Sequence, residues 1–263
     1  MDYPDAAMHA SPNPAPAPAP PTSPQASSRH DPTGYGFSQD DLPPLERGPL
    51  DLARHFHFAA AASDPVDPGK AGETPPTRPR PMDLEIGSGK GTFLVQQAVL
   101  EPGVDFLGIE WAKAFWRHAA DRARRHALPN VRLLWADATV FVRHYVADAS
   151  LRRVHIYFPD PWPKKRHHKR RSVQAPFLRE LHRTLQPPTG DAAAGVGEIR
   201  LATDHADYFE WMQHHAQLVA DCFDRREFEP PPSAGEGELV GTNFERKYRR
   251  EGRPFYAMTL VKR

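Results

Sequence analysis

Met82-Asp-Leu-Glu-Ile-Gly-Ser-Gly-Lys-Gly91 is the stretch that decides the fold. Met82 to Ile86 reads as a strand, three glycines at alternate positions then turn the chain, and Thr92 to Leu100 reads as a helix. The same alternation continues downstream. Val104 to Glu110 is a second strand, Ala112 to Ala127 a helix ended by Leu128-Pro129-Asn130, and Val131 to Trp135 a third strand leading to Asp137. Val154 to Phe158 is the fourth strand, Val173 to Leu185 a helix, and Glu198 to Ala202 the fifth strand. Asp204 to Ala220 is a helix with Thr203 or Asp204 as its cap. Phe223 to Phe228 and Phe255 to Val261 close the chain as the sixth and seventh strands. Strands and helices alternating at these lengths predict an α/β fold, a mostly parallel seven-stranded sheet with helices on both faces. Ligands of such a sheet gather at the carboxyl ends of its strands.

The glycine turn can be held against known nucleotide sites. A dinucleotide fingerprint requires a third glycine one position later than Gly91, where Thr92 stands, so NAD is disfavoured. A P-loop requires Ser or Thr directly after Gly-Lys, and Lys90 is followed by Gly91. What remains is Glu85-x-Gly87-x-Gly89-x-Gly91, a close backbone approach with a carboxylate just before it. That suits a cationic ligand with no pyrophosphate, and S-adenosylmethionine, carrying an ammonium and a sulfonium, fits. The bland reading is that the glycines only let a helix pack closely on a strand. Two further acids shift the balance. Glu110 ends the second strand, where a carboxylate can accept from both ribose hydroxyls, and Asp137 follows the third, where it can accept from an adenine amino group.

A second informative stretch is His155-Ile-Tyr-Phe-Pro-Asp160-Pro-Trp-Pro-Lys164 with the basic run that follows. Three prolines stop the strand and hold Asp160 and Trp162 at its end. Six of the eight residues from Lys164 to Arg171 are Lys or Arg and the other two are His, which suits a polyanion beside that turn. Net charge is only +1, so a polyanion must be met by this local patch rather than by the whole surface. A second basic stretch, Glu245 to Arg253, contains Tyr248, which can stack or pack.

The 263 residues, 39% of them hydrophobic, suffice for one large domain. Residues 1–45, with Pro14-Ala-Pro-Ala-Pro-Ala-Pro20, read as a disordered Pro/Ala-rich tail, 46–81 as a lead-in and loop, and 82–263 as the folded domain. Leu50 to Ala62 could be a short helix or a docking segment, and Ser63 to Pro81 is a loose stretch. Cys222 is the sole cysteine, which excludes an internal disulfide framework. Neither a signal peptide nor a membrane-spanning run is legible, so a cytoplasmic location without membrane association is expected. The pairs His55/His57, His167/His168 and His214/His215 lack partners at ligand spacing, so no metal is expected.

Glu85-Ile-Gly-Ser-Gly-Lys-Gly91, Phe106-Leu-Gly-Ile-Glu110, Phe158-Pro-Asp-Pro-Trp162 with its basic run, Ala202-Thr-Asp204 and Gly241-Thr-Asn-Phe-Glu245, in this order, resemble the bacterial tRNA (guanine-N7-)-methyltransferase family. The resemblance spans about residues 82–263. It implies a Rossmann-like, three-layer class I methyltransferase fold and transfer of a methyl group from S-adenosylmethionine to N7 of guanine 46 in the tRNA variable loop. By matching positions it implies that Glu85, Gly87, Gly89, Glu110 and Asp137 bind the cofactor and that Asp160 sits at the reaction centre. Lys164, Asp204, Thr242, Asn243, Phe244 and Glu245 would meet the substrate nucleotide or its neighbours, and Arg166, Lys169, Arg170 and Arg171 the RNA backbone. The implied partner is tRNA, bound by a monomer or homodimer. Two departures stand out: Asn243 where the family commonly has Lys, and an Ala/Gly-rich expansion from Gly190 to Gly197.

Guanine N7 carries a lone pair and no proton, so attack on a sulfonium methyl needs no obligatory general base, and orientation should supply most of the rate. Asp160 is expected to position the base by accepting from its N1–H and N2 amino edge, with Trp162 either stacking or only packing. The rival readings are an amino-directed nucleic-acid methyltransferase, which usually has two consecutive prolines before its aromatic, and a non-catalytic RNA-binding module, which would be expected to lack an acid at 85, 110 or 160.

Overall fold

The computed structural model describes residues 30–58, 80–188 and 197–263. Most of the expected tail, the loose stretch as far as residue 79 and the Ala/Gly-rich expansion before Gly197 lie outside the described residues. Strand β2 (Met82–Ile86) is the centre of the molecule, with all five residues buried. It is flanked by β3 (Asp105–Ile109) and β5 (Arg153–Tyr157), both parallel to it. β4 (Val131–Trp135) lies outside β3, and β6 (Glu198–Thr203) outside β5. β8 (Tyr256–Lys262) runs antiparallel to β6, and β7 (Phe223–Arg226) forms the far edge antiparallel to β8.

Among the described residues the sheet has eight strands rather than seven, in the order β1-β4-β3-β2-β5-β6-β8-β7. The extra one, β1 (Gly36–Ser38), pairs in parallel with β4 and falls inside the segment read as tail. The extra strand has a local cause. The Pro/Ala composition gives way near residue 30 to Tyr35-Gly-Phe37, and the Leu133 amide donates to the Tyr35 carbonyl at 2.8 Å. A Cβ at Gly36 would stand 2.8 Å from the Trp116 ring, so only glycine lets β1 lie this close to the helix behind it.

The segment from Leu50 supplies both a helix and a docking element. α1 (Leu52–His55) is a single turn capped by Asp51, and Phe56 beyond it is fully buried. Arg132 on β4 holds it there: Nε donates to the Phe56 carbonyl at 2.9 Å and Nη2 to the His57 carbonyl at 2.7 Å, while the guanidinium lies over the Tyr35 and Phe58 rings. Helices α2 (Thr92–Leu100) and α3 (Lys113–Arg125) cover one face of the sheet. α4 (Ala138–Tyr145), α5 (Ala175–Thr184) and α6 (Ala206–Gln217) cover the other, completing three layers. α4 is absent from the sequence reading because Asp137, which reads as a ligand residue, also caps that helix, accepting from the amides of Thr139 and Val140. A last helix, α7 (Asn243–Arg250), precedes β8.

Under the sheet centre runs a buried polar string. Arg152 grips Asp83 with two bonds of 2.7 Å, and His155 bridges Asp83 at 3.2 Å and the Tyr157 hydroxyl at 2.8 Å. Burial alone would raise the Asp83 carboxyl, but Arg152 and His155 outweigh it and hold the group at about 2. No helix among the described residues is long and apolar enough to cross a membrane.

Candidate active site

The chain leaves β2 toward β3 and β4 on one side and returns to β5 and β6 on the other, so the strand order reverses between β2 and β5. At such a point the helices diverge and a crevice opens at the carboxyl ends of the strands. Register fixes what reaches it. Ile86 is level with Ile109 and Ile156, Ile109 with Leu134, and Tyr157 with Ala202. Glu85, Glu110, Asp137, Asp160 and Asp204 therefore all lie at one end of five adjacent parallel strands.

On the β2–β4 side, Glu85 is 4% exposed and its Oε2 is buried with no hydrogen-bond partner. Burial, reinforced by the Glu110 carboxylate, pushes its carboxyl well above the usual range. Ser88 Oγ, to which the sequence reading assigns no role, is likewise buried and unpartnered. Two unsatisfied oxygens at a strand end call for a ligand with donor groups, since a buried unpaired polar atom costs about 1–3 kcal/mol. The glycines divide into two roles. A Cβ at Gly91 would strike Ala119 at 2.9 Å, so this one does serve helix packing. Gly89, at φ +53°, would present a Cβ to open space, and its amide donates to Glu110 Oε2 at 2.8 Å. Gly87 is also left-handed and open on that side.

Glu110 is thus partly spent on the fold: its other oxygen accepts from the Ala112 amide at 2.7 Å. Each oxygen keeps a second lone pair for a hydroxyl. Asp137 uses Oδ1 to cap α4. Trp111, 68% exposed, follows Glu110 directly in the chain, and Phe115, also exposed, lies in the first turn of α3 with Lys90 Nζ 5.6 Å from its ring centre. An acid for a cation, open glycine backbone, acids for hydroxyl and amino donors and exposed aromatic rings next along the chain fit S-adenosylmethionine.

Asp160 lies across the crevice, exposed, at the head of the Pro-rich turn. Phe158 and Trp162 flank it with φ of +52° and +44°, conformations that cost a bulky residue about 1–3 kcal/mol each and collect at functional sites. Phe158 stacks on Phe244 at 5.0 Å and meets the edge of Phe255 at 5.7 Å. Trp162 is half-buried, with Arg170 4.8 Å over its ring and His167 at its edge. Lys165–Arg170 form a short 3-10 segment. Lys164, Arg166, Lys169 and Arg170 on and beside it are exposed, and no ion pair holds them among the described residues. Asp204 is half-buried and accepts from Arg253 at 3.0 Å.

Three of the expected contact residues turn out otherwise. Arg171, expected on the RNA backbone, is 1% exposed and bonded inward. Glu245, expected on the substrate, has no exposed surface and accepts from the amides of Leu239, Val240 and Gly241 and from Arg249, which pins the loop before α7. Thr242 caps α7 through the Glu245 amide at 3.0 Å. Asn243 and Phe244 remain exposed. Acids at the ends of successive strands are visible in sequence, whereas a carboxylate that collects three backbone amides is not. Among the described residues no group of three or more His, Cys, Asp or Glu side chains could hold a metal ion.

A family model described as "Putative methyltransferase" matches residues 79–258. The chain is 40% identical over 179 residues to a tRNA (guanine-N(7)-)-methyltransferase of Halorhodospira halophila, covering 66% of this chain and 72% of that one. It is 39% identical over 189 residues to the same-named protein of Alkalilimnicola ehrlichii, covering 71% and 74%. Among solved structures, a precorrin-6y C5,15-methyltransferase from Geobacter metallireducens overlaps at a TM-score of 0.47 and 15% identity, covering 70% of this chain and 80% of that one. With the three-layer sheet, the crevice of acids and these relatives together, the chain belongs to the tRNA (guanine-N7-)-methyltransferase family.

Proposed function

We propose that this chain transfers the methyl group of S-adenosylmethionine to N7 of a guanine in tRNA, at position 46 of the variable loop. The observation that carries the reading is the pairing, across one crevice, of the unsatisfied Glu85 and Ser88 oxygens with an exposed Asp160 beside four unpaired cations. Glu85, Ser88 and the Gly87–Gly89 backbone would hold the amino-acid end of the cofactor, Glu110 the ribose and Asp137 the adenine amino group. Bound there, the cofactor supplies an electrophilic methyl on a sulfonium.

The chain's own work is then orientation and charge. A guanine turned out of its stack would present N1–H and the N2 amino group to Asp160, fixing N7 for in-line attack. As N7 is alkylated the ring becomes cationic and N1–H more acidic, so the bond to Asp160 strengthens toward the transition state. An interaction that grows along the reaction accelerates it, rather than merely tightening binding. Phe244, stacked on Phe158, offers an exposed ring beside that position. Lys164, Arg166, Lys169 and Arg170 would track the phosphates on the same side.

The test is transfer of radiolabelled methyl to an unmodified tRNA transcript, followed by borohydride reduction and aniline scission. Strand cleavage at the variable-loop guanine is expected. Asp160→Asn should lower turnover by about 10²-fold while cofactor affinity is retained. A label that resists scission and elutes as N6-methyladenine would move the chain to the amino-directed class.

A further inference from the structure

Arg171 closes the basic run in sequence, yet it lies beneath the turn that carries Asp160 and faces no solvent. Its Nε donates to the Pro161 carbonyl at 2.8 Å, and its Nη2 donates to Asp207 in the first turn of α6. The guanidinium lies 4.9 Å from the Tyr208 ring centre and 5.2 Å from that of Trp211. Both rings are themselves fixed. Trp211 Nε1 donates to the Val173 carbonyl at 2.7 Å, and the Tyr208 hydroxyl sits 3.3 Å from Ser172 Oγ. A guanidinium enclosed in this way reaches no phosphate.

The turn it touches cannot brace itself. Pro159, Pro161 and Pro163 have no N–H to donate. Among the described residues, the bond from Arg171 is the one hydrogen bond made to the backbone of residues 159–163. Phe158 and Trp162 sit in left-handed conformations on either side of Asp160, so a released turn would relax them and swing the carboxylate. On the far side, Phe158 is held by its amide on the Ala202 carbonyl at 2.8 Å. The near side has Arg171.

We propose that Arg171 is a positioning residue for methyl transfer: through the Pro161 carbonyl it holds the turn that aims Asp160, and it takes no part in gripping RNA. The kinetic part of this rests on the proposed function. The mechanical part, that the turn is held by Arg171, does not.

Arg171→Lys separates the two roles, because lysine keeps the charge but lacks the fork that bridges Pro161 and Asp207. Three results are expected: kcat at saturating tRNA falls on the order of 10- to 100-fold, tRNA Kd and its salt dependence stay at wild-type values, and trypsin cuts within residues 164–170 faster well below Tm. Arg170→Met, for comparison, weakens tRNA binding and flattens its salt dependence by about 0.9 in slope. Wild-type kcat in Arg171→Lys, or a loss confined to tRNA affinity and salt slope, overturns the proposal. If Arg171→Lys does not fold, Asp207→Asn loosens the same guanidinium from its other end without removing a cation. It should show the same kcat loss and faster cleavage, and wild-type behaviour overturns the proposal equally. If the wild-type chain transfers no methyl to tRNA, the functional reading fails by itself. The tryptic comparison then decides the case for Arg171, and unchanged cleavage overturns it.

Discussion

Glu85→Gln should move cofactor affinity and protein stability in opposite directions. Glu85 is almost wholly buried, one oxygen accepts no hydrogen bond, and burial together with Glu110 raises its pKa well above the ordinary carboxylate value of 4.5. A group raised in the folded state contributes most stability below its unfolded pKa and loses that contribution as pH rises through the folded value. The amide carries no such penalty, so the variant without ligand should melt above wild type by a margin that widens with pH. Ligand binding runs the other way. The cofactor's ammonium needs the carboxylate, and a charge-assisted hydrogen bond is worth about 1.5–3 kcal/mol, so loss of the charge should weaken binding roughly 10- to 150-fold. Burial favours the protonated carboxyl in the free protein and a cationic partner favours the carboxylate, so binding should be coupled to proton release from Glu85, and wild-type affinity should rise with pH where the variant's stays flat. Calorimetric titration with S-adenosylhomocysteine across a pH series above the ordinary carboxylate value, in buffers of differing ionisation enthalpy, reads both quantities. Equal affinity and equal proton release in the two proteins would refute the assignment of Glu85 to a cationic group.

Neutralising Arg166 and Lys169 together should reduce the slope of log K against log salt for tRNA by about 1.8, two phosphate contacts at about 0.9 each; filter binding across a salt series checks it, and an unchanged slope makes the segment a solvated face. Glu245→Ala strands three backbone donors and Arg249, and should destabilise the protein by about 3 kcal/mol, with hydrogen exchange rising first at Leu239 to Gly241. Glu245 is held below the ordinary carboxylate range because its amide partners and Arg249 outweigh burial. That support is present above pH 4.5 and should fail as pH falls through the folded value, loosening α7 before the sheet. Asp83, held at about 2 against 3.8, should contribute on the order of 2 kcal/mol at neutral pH that vanishes as pH falls from about 4 to 2, and urea titrations of Asp83→Asn should lack that acid limb.

The central sheet was legible because parallel strands buried on both faces read as short apolar runs between turn signals, as Leu84, Val154 and Ile199 show. What escaped was structure whose cause lies elsewhere in the chain. β1 is three residues long, and nothing in Gly36-Phe-Ser38 announces a strand until the free edge of β4 and the ring of Phe56 are beside it. α4 was lost because one aspartate served two purposes. Among the site residues, strand-end acids could be placed by counting, since each strand delivers its last residues to the same edge. Arg171 and Glu245 could not. A charge in a run of like charges looks solvent-facing, and only Tyr208, Trp211 and Asp207, or the amides of 239–241, reveal that these two are turned inward.

The three residues of β1 bear on how the protein can be cut. β7, at the opposite border of the sheet, protects itself with exposed Asp224, Arg225 and Arg226, charges that discourage a neighbouring chain from adding a strand. β4 has no such defence: its outward amides and carbonyls are satisfied by Gly36 to Ser38, and the apolar side chains behind it are roofed by Phe37 and Phe56. A fragment beginning at residue 80, where the regular pattern starts, would keep every acid of the crevice and lose that cover. It would bind its cofactor and yet aggregate through β4, the exposed border capturing strands from its own copies, so the segment that carries β1 acts as a built-in guard against self-association.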